Sequence, residues 1–507
     1  MTQASPATAS TARARTRWAL LIALLNIAFA AFCHFHAHRG YVDHLNTVET
    51  LYVPGDATVA AGAAPPLARR TWVLIIDGLR ADTIATMPQL QALASTGVER
   101  TLVAELPSFT YPSLTTLVTG IEPFYSGVRL NGGGMHQRYD TLIAAAARSA
   151  VASVIVTERW RGFDAALDWK NAPRATHATL DQLVHRPAAH ELAWVHVLDV
   201  DTAGHRYGAR SSQYRSAALH ADQIVGGLAA ALDLSRDAFV VLSDHGHLPR
   251  GGHGGPESDA RNGIFVAAGI GIARDRALAP ARMRDVCATV AMLAGIAPPV
   301  DNLGAPLTDI LASDGQTGAR SIPSQRERRL AQRRLLVSPD ALADRLAQRR
   351  AQRWPWAIAL CALFVLAWLA PRAWRPRAID AAPLASFTVV FAALYAMAGY
   401  RFSWSLPRGY AGFVIETALF GALGAAAAIS IGRWRRTGGP PRAVHQASFV
   451  FLLGCAYAVA LAESGFTPAW LEGPHRSFII VLVATAGFYA ALALGLLALT
   501  RMRRGPP

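Results

Sequence analysis

The chain has 507 residues, of which 52% are hydrophobic and 16% charged, and its mean hydropathy is +0.24. Soluble globular proteins carry about 25% charged residues, so this composition excludes both a disordered chain and a wholly water-soluble one. Lys+Arg 49 against Asp+Glu 34 leaves a formal net charge of +15, whose meaning depends on where it sits.

Residues 1–17 form a basic N-terminus that includes Arg13, Arg15 and Arg17. An apolar run over 18–33 follows. His34, Phe35, His36 and His38 then stand where a cleavable signal peptide carries small residues. An uncleaved anchor over 18–35 is therefore expected, with 36–68 as a linker to an outer domain.

From 69 to 315 the texture is α/β. Three short apolar runs, beginning at Trp72, Trp194 and Phe239, read as buried parallel strands, and helical patterns at 86–96, 140–150 and 211–232 alternate with them. Each run leads straight into acid: Asp77-Gly78, Asp199-Val200-Asp201 and Asp244-His245-Gly246. In open parallel sheets, sites form beyond the carboxyl ends of the strands. Carboxylates delivered there by three strands repel one another unless a cation joins them. His205 follows Asp201 by four residues, so one turn brings both to a point; His245 adjoins Asp244, and His253 lies in the glycine-rich GGHGG. Oxygen and imidazole donors arriving from separate loops suit zinc. The set predicts a dinuclear metal site.

Residues 106–120 (LPSFTYPSLTTLVTG) read as a loop entering a helix with a hydroxyl residue at its start. A helix N-terminus favours an anion, and a nearby cation lowers the pKa of a hydroxyl. Ser108, Thr110 and Ser113 all fit a nucleophile by spacing, and Thr110 equally fits an N-cap. Cys287 is the single cysteine of this region, which excludes a disulfide framework and a CxxC metal site.

Residues 316–353 carry nine arginines between Arg326 and Arg353, with Leu330, Leu335, Leu342 and Leu346 among them. They read as a basic amphipathic segment against anionic headgroups, or equally as a solvated connector. In 354–507 five further apolar runs, near 355–370, 384–400, 409–431, 446–464 and 477–500, approach or exceed the roughly 17 residues needed to cross a bilayer core. Arginines cluster in alternate loops, at Arg372, Arg375 and Arg377, at Arg433, Arg435, Arg436 and Arg442, and at Arg501, Arg503 and Arg504. With a cytoplasmic N-terminus these all fall inside and 36–353 falls outside. Much of the positive charge is thus topological, and nucleic acid is not an expected partner.

The ordered motifs IIDGLRAD, FTYPSLTTLVTG, LDVDTAGHRYG and LSDHGHLPRGGHGG resemble the alkaline phosphatase superfamily, above all its type I phosphodiesterase/nucleotide pyrophosphatase branch. They are also similar to the glycosylphosphatidylinositol ethanolamine-phosphate transferases. The resemblance covers about 70–315. It implies an alkaline-phosphatase-like three-layer α/β domain with a mainly parallel sheet, here joined to an anchor helix and a C-terminal bundle of about five transmembrane helices. It implies Thr110 as nucleophile, passing through a phospho-threonine intermediate. Two Zn2+ are implied, or Mn2+ or another divalent ion, one held by Asp77, Asp244, His245 and Thr110 and the other by Asp201, His205 and His253. Asn131, in GVRLN, matches the asparagine that binds a phosphate oxygen. Where the family often has Met after SDHG this chain has His247, a group supporting a ligand or, more in keeping with the sequence, an ordinary surface histidine. Asp82 and Asp199 are expected to be structural or to support a ligand rather than to be ligands.

Two activities follow for one site: hydrolysis of a phosphodiester or pyrophosphate by water, or transfer of a phospho-alcohol such as phosphoethanolamine from a phospholipid to a glycan or lipid acceptor. A different class, a transporter or scaffold with an accessory outer domain, draws on Glu416 and Glu463 in or near apolar runs. Arginine dominance and unpaired cysteines point to a bacterial inner membrane with the domain in the periplasm. No obligate protein partner is inferred.

Overall fold

The computed structural model describes residues 65–129, 131, 139–157, 174–186, 190–312 and 381–398, with nine further residues between 415 and 430. Within 65–312 the strands are β1 Arg70–Ile76, β2 Val98–Val103, β3 Ala152–Thr157, β4 Arg174–Ala175, β5 Glu191–Val197, β6 Ala238–Leu242, β7 Asn262–Gly269, β8 Arg276–Ala277 and β9 Ala281–Arg282. They form one sheet in the order β4-β3-β5-β1-β6-β7-β2-β8, with β9 also on β2. β7 pairs antiparallel with β6 and β2, and the other pairings are parallel. The expected mainly parallel α/β sheet is therefore present.

The three strands read from the sequence are neighbours at its centre. Ile76 of β1 pairs with Val197 of β5, and Ile75 pairs with Leu242 of β6, so the carboxyl ends of the three strands lie side by side. Strand side chains alternate between faces, and both faces are buried. Trp72, Leu74 and Ile76 pack with Phe239, Val241, Ala193 and Val195 on one side. Val73 and Ile75 pack with Trp194, Val240 and Leu242 on the other. An unbroken apolar run is what a doubly covered parallel strand requires.

Helices close both faces. Pro88–Ser95 and Ser212–Ala231 bury Leu90, Leu93, Tyr214, Val225 and Leu228 against the first. Thr110–Thr119, Leu142–Arg148 and Arg284–Ala294 bury Leu114, Leu117, Ile143, Val290 and Leu293 against the second. Ser211 caps the long helix by accepting from the Tyr214 amide, a start that the sequence pattern anticipated to within a residue. Cys287 is a buried free thiol in the last of these helices. The layered order is helix, sheet, helix.

A separate unit includes the helix Ala381–Met397, which takes in most of the apolar run near 384–400. In it Phe391 and Tyr395 are buried and stack with centroids 5.9 Å apart, while Val389 and Met397 are exposed. Among the described residues no helix is long and apolar enough to cross a membrane. The expected anchor over 18–35, the basic segment, and the runs near 355–370, 446–464 and 477–500 lie outside the described residues, as does most of 409–431.

Candidate active site

The site grows from the carboxyl ends of β5, β1 and β6. β1 ends at Ile76 and delivers Asp77, after which Gly78 turns the chain away at φ +71. β5 leads through Leu198 into the helix Asp199–Tyr207, which carries Asp201 and His205 on one side, four residues apart. β6 ends at Leu242 and presents Asp244 and His245. The loop beyond returns His253, its position fixed by Ser108–Gly254 backbone pairing beside the helix Thr110–Thr119. Asp77, Asp244, His245 and His253 are all buried.

Two compact groups result. Asp77, Asp244 and His245 can each aim one ligand atom at a common point, and so can Asp201, His245, His247 and His253. His205, 40% exposed at its side chain, lies at the rim of the second group: its Nε2 is 3.0 Å from His253 Nε2 and 3.5 Å from Asp201 Oδ1. Thr110 is the first residue of its helix, with Phe109 in the N-cap position, so the N-cap alternative for Thr110 does not apply. Its Oγ1 lies 3.1 Å from His245 Nε2. Ser108 instead donates to the Gly255 carbonyl, and Ser113 Oγ is buried one turn further in. Asn131 is exposed and its Oδ1 accepts from the Tyr111 amide at 2.9 Å, which ties it to the first turn of the Thr110 helix.

Whether these residues suit a cation is decided by their unsatisfied oxygens. Asp77 Oδ2 accepts from His196 at 2.9 Å, and Asp244 Oδ1 accepts from the Gly78 and His245 amides at 3.1 and 3.0 Å. Their other oxygens, Asp77 Oδ1 and Asp244 Oδ2, are buried, make no well-formed hydrogen bond, and face His245 Nε2 at 3.2 and 3.5 Å. Orphaned carboxylate oxygens in a dry interior are costly. The imidazoles agree: His245 Nδ1 donates to the Gly246 carbonyl at 3.0 Å and His253 Nδ1 to the Ser108 carbonyl at 2.9 Å, so Nε2 of each faces inward. A backbone carbonyl on the outer nitrogen is the usual support of a ligating histidine.

The electrostatics carry the same message. Burial and the neighbouring Asp77 charge push the Asp244 carboxyl well above the usual carboxylate range. Burial alone would lower His245, but the Asp244 and Asp77 carboxylates outweigh it and its pKa is pushed up to about 10. A proton on His245 thus stands in for a cation, and a divalent ion would displace it. Oxygen and imidazole donors fit zinc or a similar ion.

Two participants were missed or underrated by the sequence reading. His247, for which a surface place was favoured over a role supporting a ligand, is fully buried, and its Nε2 lies 2.8 Å from Asp201 Oδ1. It folds inward because the loop behind it turns through Gly251 and Gly252 at φ +93 and +89. His196 is buried within β5 and reaches Asp77. Its signal was a histidine inside an otherwise apolar strand, WVHVL. Asp82 pairs with Arg80 and Asp199 with His220, and both carboxylates are exposed.

Residues 71–132 and 135–252 match the type I phosphodiesterase / nucleotide pyrophosphatase family. The matched stretch bears out the resemblance. It takes in the Asp and His cluster except His253, which follows the last matched residue. No curated protein matches the chain. Among solved structures, murine and human ectonucleotide pyrophosphatase / phosphodiesterase 5 are similar at 14% identity over 48% of this chain and 100% of theirs, with TM-scores of 0.40 and 0.41. Wild-type alkaline phosphatase PafA is similar at 10% identity over 50% of this chain and 100% of its own, with a TM-score of 0.37.

Proposed function

We propose that the chain is a membrane-bound, zinc-dependent enzyme that breaks a phosphodiester outside the cytoplasm through a phospho-threonine intermediate. The observation that carries the reading is the hydroxyl of Thr110, 3.1 Å from His245 Nε2, at the edge of a buried cluster with two orphaned carboxylate oxygens. Asp77, Asp244 and His245 would hold one ion beside Thr110, and Asp201, His205 and His253 the other. Two bound divalent ions would supply charge for the attacking and leaving oxygens of an in-line displacement.

The chain's own part is to place and orient. Thr110 begins a helix, so its hydroxyl sits at the positive end of the helix dipole, where a developing anion is favoured. Thr110 gives up its hydroxyl proton, and its Oγ1 forms a bond to phosphorus while the bond from phosphorus to the departing oxygen breaks. That oxygen takes up a proton and leaves as the alcohol. Asn131, held by the Tyr111 amide, flanks the same helix turn and would bind a non-bridging oxygen. The second half-reaction releases Thr110 when an incoming hydroxyl attacks the phosphothreonine.

Water as that hydroxyl makes the enzyme a hydrolase. An alcohol acceptor makes it a phospho-alcohol transferase, with a lipid such as phosphatidylethanolamine as donor; the apolar runs flanking the domain support a lipid substrate. Full-length protein with zinc, given bis-p-nitrophenyl phosphate, p-nitrophenyl phosphate and headgroup-labelled phosphatidylethanolamine, tests both. Diester cleavage that stops on chelation and returns with zinc is expected. Label on a second lipid would select transfer, and diester turnover indifferent to chelation would overturn the proposal.

A further inference from the structure

We infer that His247 is a positioning residue whose Nε2–H donates to Asp201 Oδ1 and fixes that carboxylate for a cation, without itself being a ligand. The inference deepens the proposed metal site and rests on it.

By composition and distance His247 looks like a ligand, since it belongs to one of the two compact groups. Its outer nitrogen argues otherwise. His247 Nδ1 accepts from the Gly252 amide at 3.1 Å. A backbone N–H can only donate, so Nδ1 carries no proton, and the proton of the neutral ring sits on Nε2. His245 and His253 have the opposite arrangement, with Nδ1 donating to a carbonyl oxygen, so that a cation can be held only through Nε2. Three histidines of one cluster are thus sorted by one backbone contact each. Two offer Nε2 to a cation, and the third turns an Nε2–H toward Asp201. For His247 to ligate through Nε2, its proton would have to move to Nδ1, where it would point at the Gly252 N–H.

The acceptor for that proton is 2.8 Å away at Asp201 Oδ1. The same oxygen faces the Nε2 atoms of His205 and His253 at 3.5 and 3.6 Å. A carboxylate oxygen has two lone pairs. One is engaged by His247, which leaves the other available to a cation shared with His205 and His253.

The ring occupies a slot that two glycines leave open. A Cβ on Gly204 would stand 2.6 Å from His247 Cδ2 and 2.7 Å from its Nε2, and one on Gly78 would stand 2.9 Å from Cδ2. Both glycines belong to the motifs that carry Asp77 and Asp201, so the imidazole edge is wedged between the backbones that present the ligands. A ring so confined cannot swing to exchange donor for ligand.

The test uses full-length protein with the Leu and Gln variants of His247, titrated with Zn2+ and with Co2+, whose visible spectrum reports the number of imidazole ligands. His247→Leu removes the donor, and His247→Gln places an amide N–H near the position of Nε2. Expected is a fall of about 10- to 100-fold in affinity for one of two bound ions in the Leu variant. Recovery of most of that loss is expected in the Gln variant, with the Co2+ spectrum of the wild type. Wild-type affinity in the Leu variant would overturn the inference. So would weak binding in both variants with an altered Co2+ spectrum, because a lost ligand would produce it. Absence of ion binding by the wild type would instead overturn the metal site itself.

Discussion

His196 Nε2 lies 2.9 Å from Asp77 Oδ2, and both groups are buried at the carboxyl ends of the central strands. One oxygen of Asp77 is thereby committed to the scaffold and the other is left for the site. Replacing His196 with Leu would let the carboxylate rotate and leave a second oxygen unpartnered. The expected result is an affinity about 10- to 100-fold weaker for the ion held by Asp77, Asp244 and His245. Equilibrium zinc binding against a chelator of known affinity checks this, and an unchanged constant would remove His196 from the account.

Thr110→Ala deletes the oxygen that is to bond to phosphorus while sparing the Asp and His donors. Turnover of a diester should fall by about 10^4-fold or more, with zinc content close to that of the parent protein. Rapid quench with a labelled diester should give a labelled protein only when Thr110 is present. Persistent activity in the Ala variant would return Ser108 or Ser113 to consideration.

Gly254 sits at φ +109 in the loop that carries His253, and a Cβ there would stand 2.1 Å from the Phe109 ring. Phe109 immediately precedes Thr110. Gly254→Ala should cost about 1–3 kcal/mol and push the start of the Thr110 helix away from His245. A lower thermal midpoint together with a lower kcat is the expected pair of observations. Loss of neither would mean that the loop absorbs the methyl group without moving Phe109.

Away from the site, Asp237 accepts from Arg69 at 2.8 Å and from Arg70 at 2.7 Å at the start of β6. Burial pushes this carboxyl up, but the two guanidinium groups outweigh it and hold it below its ordinary range. A depressed carboxylate contributes stability that is present above the unfolded-state pKa and lost as pH falls through the folded-state value. Asp237→Asn should therefore destabilise the domain by about 2–3 kcal/mol near neutral pH and flatten its acid limb. Denaturant midpoints measured from neutral to acid pH decide the matter: curves for parent and variant should converge on acidification, and a constant gap would refute it.

Much of the site was legible without coordinates because local sequence determines which residue stands at the end of a strand. The runs at Trp72, Trp194 and Phe239 announce buried strands, and the residues that follow them, Asp77, Asp201, Asp244 and His245, have nowhere to emerge but the sheet edge. His205 is tied to Asp201 by helical spacing alone. Spacing alone left three candidate hydroxyls, since it does not specify direction; the resemblance pointed to Thr110, and the fold sets Thr110 Oγ1 3.1 Å from His245 Nε2.

The sequence by itself determined the alternation of strand and helix, the acidic strand ends and the kinds of donor available, because each of these depends on neighbours within a few residues. The tertiary structure alone decided the inward turn of His247, the contact of His196 with Asp77, and which oxygen of each carboxylate is left unsatisfied. Those depend on hydrogen bonds between residues far apart in the chain, such as His196 with Asp77 and His253 with Ser108. A histidine's chemistry follows from the partner on its other nitrogen, and that partner is supplied by the packed backbone.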